Sequence, residues 1–127
     1  MTVIIINEPR FIGEADTRMI QGEKRKVLLL NDFCFVDSAG FEWLAKKDSI
    51  IDGSSIPWFL WSIIGSPFVG LHRLASITHD VYCVSKSQPH EKVHQMYFDA
   101  CRLNGVSKTK AKLLLSGIKL GGPKWGK

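Results

Sequence analysis

The sequence has little with which to cross a membrane. Apolar runs such as Val3–Ile6 and Val27–Leu30 stop after four residues, far from the roughly 20 needed to span a bilayer. A basic start followed by a long apolar stretch is also missing, so no secretory signal is expected. Cysteine is scarce: Cys34, Cys83 and Cys101 are odd in number and no two stand in C-x-x-C spacing. That speaks against a disulfide framework and for a reduced compartment, or for release only on lysis. Internal repeats and low-complexity segments are absent, which excludes a solenoid. Acid is missing from one end. Residues 100–127 hold seven Lys and Arg and no Asp or Glu, whereas residues 1–99 hold ten basic and twelve acidic residues. The formal charge of +5 therefore describes a near-neutral body with a basic C-terminal end.

What is present is enough for one core. The 127 residues are 45% hydrophobic and 23% charged, ordinary values for a single globular domain. The first half reads as β structure. Val3–Ile6 is a short β-branched run, and no element can be placed over residues 10–26. Val27–Val36, the turn chemistry of Asp37-Ser38-Ala39-Gly40 and Phe41–Ala45 predict a hairpin with strands near 28–36 and 41–46. Asn31-Asp32 could split the first strand, or sit in a bulge within it. The second half reads as helices: a short one from Pro57 to Ile64, then about 69–84, about 89–103 ended by Asn104-Gly105, and a last one capped by Ser107 to about Gly117. The expectation is an α+β fold, an N-terminal β-hairpin or small antiparallel sheet packed on three to four C-terminal helices. Residues 1–120 form the domain, and Gly121–Lys127 a flexible or partner-ordered basic tail.

The chemistry-bearing residues gather on the two middle helices. His79 and Asp80 lie in an apolar stretch, and His90, His94, Tyr97, Phe98 and Cys101 share one helix face. Two antiparallel helices would bring His79 and His94 within reach. A His beside a carboxylate can serve as a general base and an Asp can hold a metal, although a His on such a face is more often a hydrogen-bonded core residue. His90-Glu91-Lys92-Val93-His94 matches the H-E-x-x-H zinc signature, but its start directly after Pro89 and the charge of Lys92 speak against a zincin site. A metal site drawing on Asp80, His90 and His94 stays open, with Ca²⁺ or Zn²⁺ as the divalent ion. Asp52-Gly53-Ser54-Ser55-Ile56-Pro57 makes a tight loop able to cap the following helix or bind an ion. Trp58, Phe59 and Trp61 are core or a docking patch. On the last helix Lys108, Lys112 and Lys119 share one side and Ala111, Leu114 and Ile118 another, which allows either polyanion binding or a solvated helix packed by its Leu face.

Asp52-Gly53-x-Ser55-Ile56-Pro57, the Trp-rich helix and His79-Asp80-x-Tyr82 together resemble a small phage and prophage family of unknown function, over about residues 26–106. The family commonly travels near tail and lysis genes, and its pattern carries Ala-Asp where this chain has Val93-His94. The resemblance implies a minor virion or tail component, or a host-interaction factor, in the host cytoplasm or the virion. Its partners would be other phage structural proteins or a host factor. A more distant likeness, to the His-Asp core of the phospholipase A₂ enzymes, implies a small metal-assisted hydrolase acting on lipid or cell wall. There His79 would be the base, Asp80 would bind Ca²⁺ with the Gly53 loop, and position 94 would support His79.

Overall fold

In the computed structural model the described residues are 8–22, 26–64 and 68–126; the Val3–Ile6 run lies outside them. The elements are β1 (Arg10–Ile12), β2 (Thr17–Met19), β3 (Val27–Leu29), β4 (Phe33–Val36), β5 (Glu42–Ala45), β6 (Ile50–Ile51), α1 (Trp58–Ile64), α2 (Arg73–Ser85), α3 (His90–Leu103) and α4 (Lys108–Gly121). This is the α+β arrangement that the residue pattern implies.

The strands form two three-stranded antiparallel sheets, ordered β1-β4-β5 and β2-β3-β6. The expected hairpin is present as β4 and β5, with Val36 opposite Glu42. Asp37 builds its turn: the carboxylate accepts from the Ala39 and Phe41 amides and from the Trp43 indole, and Gly40 takes a left-handed φ of 84°, which a residue with a Cβ resists. The first strand is not continuous. Asn31-Asp32 splits it, and β3 and β4 join different sheets. The physical reason is side-chain pairing with residues distant in sequence, since Asn31 donates to the Asp16 carboxylate and Asp32 accepts from the Lys47 amide. These bonds give the chain an alternative to the ladder. Two of the six strands among the described residues, β1 and β2, lie in the region where the sequence pattern showed no element. They are three residues long, too short for an alternation signal, and their partners fix them.

Helix α2 begins at Arg73 rather than near 69, because Gly70 holds a left-handed φ of 84° and breaks the helical path. Its start is pinned to the strands by the Arg73 guanidinium, which donates to the Ala15 carbonyl and the Thr17 hydroxyl. Its C-terminal half is pinned to β5 by Tyr82, whose phenol oxygen accepts from the Leu44 amide at 3.0 Å. Helices α2 and α3 pack on one another and α4 packs on α3. The main core sits among the helices and one sheet, with Phe35, Trp43, Leu60, Met96, Tyr97, Leu114 and Ile118 buried in it. A second cluster of Leu29, Phe33, Ala45, Ile51 and Ile77 holds the other sheet against α2. Helix α4 buries Ala111, Leu114, Gly117 and Ile118, the face that the pattern assigned to packing. Beyond Gly122, the stretch expected to be a flexible or partner-ordered tail lies on α3. There the Pro123 carbonyl meets His94 and the Trp125 indole donates to the Gln88 carbonyl.

Candidate functional site

Successive residues on a helix differ by about 100° in direction, so His79 and Asp80 project into different surroundings. His79 faces α3. Its Nε2 lies 2.9 Å from Nδ1 of His94, and the His94 Nε2 lies 2.9 Å from the Pro123 carbonyl oxygen. A carbonyl only accepts, so Nε2 of His94 carries hydrogen. In the neutral ring its Nδ1 is then bare and accepts from the His79 Nε2–H. Both rings are sealed, at 0% and 1% exposure, and Tyr97 packs edge-on against His79 with centroids 5.1 Å apart. Burial, with the positive charge that His94 would carry, lowers the His79 pKa to about 3. Burial also lowers that of His94, with the Pro123 carbonyl acting against it. The pair is neutral at neutral pH.

Asp80 faces the Asp52–Ser55 loop. Its Oδ2 accepts from the Asp52 amide at 3.3 Å, while Oδ1 is buried without a hydrogen-bond partner. Burial and the neighbouring Asp52 charge raise its pKa to about 6. Burial also pushes Asp52 upward, but hydrogen bonds from Ser54 outweigh it and leave this carboxyl below the usual range. The loop is a turn in which Asp52 accepts from the Ser54 amide, Gly53 takes a φ of 73° and the Ile56 amide donates to the Gly53 carbonyl. Outside it opens a cavity of about 500 Å³, bounded by Asp52, Ser54, Trp58, Trp61 and Gly121.

The structure thus brings His79 and His94 together and sets Asp80 apart from them. His90 stands one turn before His94, with Nδ1 2.7 Å from the Trp125 carbonyl oxygen and Nε2 3.0 Å from the Glu91 carboxylate. The nitrogens of the H-E-x-x-H pair are therefore occupied by different partners. Trp58 is 79% exposed, whereas Trp61 is half-buried and donates to the Ile56 carbonyl. Lys108, Lys112 and Lys119 are all exposed. Three participants escaped the residue pattern. Cys83, one turn after His79, has its sulfur 3.7 Å from the ring, and that i, i+4 spacing was a usable signal. Ser55, whose buried hydroxyl has no hydrogen-bond partner, stood in the Asp52–Pro57 segment without a role of its own, and the Pro123 carbonyl had no signal at all.

These features define a small α+β protein built around a sealed histidine pair, with an acidic loop and an aromatic cavity beside it. The chain belongs to the DUF1353 family, described as a protein of unknown function, whose model matches residues 27–118. Among curated proteins it is similar to two from Sinorhizobium fredii (strain NBRC 101917 / NGR234). It is 39% identical to the uncharacterized protein y4jT over 97 residues, 76% of this chain and 29% of that protein. It is 34% identical to the uncharacterized protein y4iH over 116 residues, 91% of this chain and 48% of that protein. The chain therefore spans less than half the length of either relative. No solved structure matches it. Among the described residues no helix is long and apolar enough to cross a membrane.

Proposed function

We propose that the chain is a non-enzymatic binding component of phage or prophage origin, a minor virion, tail or host-interaction protein that docks through α1. The observation that carries this reading is the burial of both histidines. A base must reach its substrate, and His79, fully covered and neutral down to a pH of about 3, serves better as a bolt between α2 and α3. In contrast, the Trp58 indole stands 79% exposed at the mouth of the aromatic cavity, the kind of anchor that partner surfaces favour. The basic side of α4 suits a partner with an acidic surface. The phage setting rests on the resemblance of the Asp52–Pro57 segment and the His79-Asp80-x-Tyr82 helix. Quantitative mass spectrometry of purified particles tests it. The chain should be present at fixed stoichiometry, and Trp58→Glu should abolish incorporation without lowering the melting temperature. Absence from particles would sink the virion and tail forms of the idea and leave a host-interaction factor.

A small hydrolase is the second reading, and one observation favours it: Asp80 and Asp52 are adjacent carboxyls whose proton affinities are pushed apart, the pattern of an acid/base pair. Hydrolysis of lipid, peptide or cell-wall fragments that disappears in Asp80→Asn would establish this reading over the first.

A further inference from the structure

His79, Cys83 and His94 offer three donor atoms that all lie within 4.8 Å of one another, and all three residues are buried. They gather the donors of a coordination shell at one point between two helices. Cys83 and His79 share one face of α2 by their i, i+4 spacing, and His94 closes the triangle from α3. Bonds of about 2.0–2.3 Å to nitrogen and sulfur set donors about 3.4–3.7 Å apart around a common ion. The sulfur lies 3.7 Å from both nitrogens of the His79 ring, the right separation from Nε2 but equally near Nδ1, so the Cys83 side chain has to swing towards the Nε2 side to share an ion. The histidine nitrogens, at 2.9 Å, need to part by only about half an ångström. The His94 Nε2–H donates to the Pro123 carbonyl, which fixes the ring with Nδ1 inward, as outer partners of metal-bound histidines do.

We propose that His79 Nε2, His94 Nδ1 and the Cys83 sulfur form a buried three-coordinate site for Cu⁺. Thiolate and imidazole donors suit Cu⁺ and Zn²⁺ alike, and charge decides against the divalent ion. One thiolate and two neutral imidazoles around Cu⁺ sum to zero, whereas a divalent ion leaves a net positive charge in a dry core, at a large desolvation cost. The protons balance as follows. Cys83 releases its S–H proton to solvent as the Cu–S bond forms. The His79 proton moves from Nε2 to Nδ1, so the ion takes the place of the hydrogen that the two rings shared. Copper enters and stays as Cu⁺, so no electron moves. Bound there, the ion ties α2 to α3 at the point where the hydrogen bond does so without it. The proposal is independent of the docking surface, because none of its ligands lies on α1.

The test is titration of the reduced full chain with Cu⁺ against the chromophoric chelator bicinchoninate, with X-ray absorption of the loaded protein. One equivalent should leave the chelator, one proton should be released per ion, and the absorption should give two nitrogen ligands and one sulfur. Cys83→Ser and His94→Ala should each weaken binding by at least about tenfold, with circular dichroism confirming their fold. Cys34→Ser with Cys101→Ser should bind as the native chain does. Should a ligand variant fail to fold, cysteine alkylation of the native chain in mild urea decides. Cu⁺ should protect Cys83 and leave Cys34 and Cys101 as reactive as before. Retention of copper by folded Cys83→Ser, more than one sulfur ligand, or protection spread over all three cysteines would overturn the site.

Discussion

The two sides of helix α2 differ as much as any two regions of the molecule, although they are offered by adjacent residues. Towards α3, His79 sits in a dry, neutral, fully paired environment whose bonds run on through His94 to a backbone carbonyl. Towards the Asp52–Ser55 loop, Asp80 is just as deeply buried but keeps an oxygen without a partner and a proton affinity raised by that burial and by Asp52. Burial is common to both, and pairing separates them. A neutral ring loses little by burial when both nitrogens are hydrogen-bonded, whereas a carboxyl in the same position resists ionisation. A His-Asp dipeptide in a helix is therefore not a dyad, since the residues point about 100° apart.

The contrast has opposite consequences for stability, which gives three ways to break or sharpen it. The largest effect belongs to the histidine side. Its folded pKa, about 3 against an ordinary 6.5, means that only the unfolded chain takes up this proton as pH falls. Stability is thus present above about pH 6.5 and is lost as pH drops towards 3, by about 5 kcal/mol at most. Urea unfolding across this range should show the loss, and His79→Gln should flatten it; an unchanged slope would place the proton uptake elsewhere.

The acidic side works the other way. Because the Asp80 pKa is raised to about 6 from an ordinary 3.8, the folded chain keeps a proton that the unfolded chain gives up. This contribution to stability is present below about pH 4 and lost as pH rises to about 6, amounting to about 3 kcal/mol. Between those values it opposes the histidine effect. Asp80→Asn should remove the opposition, leaving a steeper dependence between pH 4 and 6 and a chain more stable at pH 7. A variant less stable at pH 7 would mean that the carboxylate has a partner that compensates its burial.

The smallest effect tests whether the exposed region beside the loop serves stability at all. Trp58→Ala should change unfolding free energy by less than about 0.5 kcal/mol, the ordinary range for surface positions. Calorimetry showing a larger loss would make Trp58 part of the core and remove it as a docking anchor.

Much of the helical half was legible in the residues. The spacing of His94, Tyr97 and Cys101 on one face of α3 and of Ala111, Leu114 and Ile118 on α4 reports burial directly, because a helix repeats its faces every three to four residues and each was long enough to show it. Contact between His79 and His94 also follows from two antiparallel helices and a short loop. The strands were harder to read. A three-residue strand such as β1 or β2 has no periodicity of its own and exists because β4 or β3 pairs with it. Continuity from β3 into β4 was plausible from apolar content alone, and it fails because Asn31 and Asp32 find partners at Asp16 and Lys47 that are distant in sequence.

By itself the sequence determined the α+β class, the helical faces, the turn at Asp37–Gly40 and the separation of a near-neutral body from a basic end. These depend on local conformational preference and on the period of apolar residues, which any stretch of chain carries with it. Only the tertiary structure decided that the His79–His94 contact leaves Asp80 out, that Asp80 faces Asp52, and that Pro123 closes over His94. Each of those is a contact between segments whose distance in sequence says nothing of their distance in space. Hydrogen-bond partners and buried charge, which set the proton affinities at the site, exist only once those segments have packed.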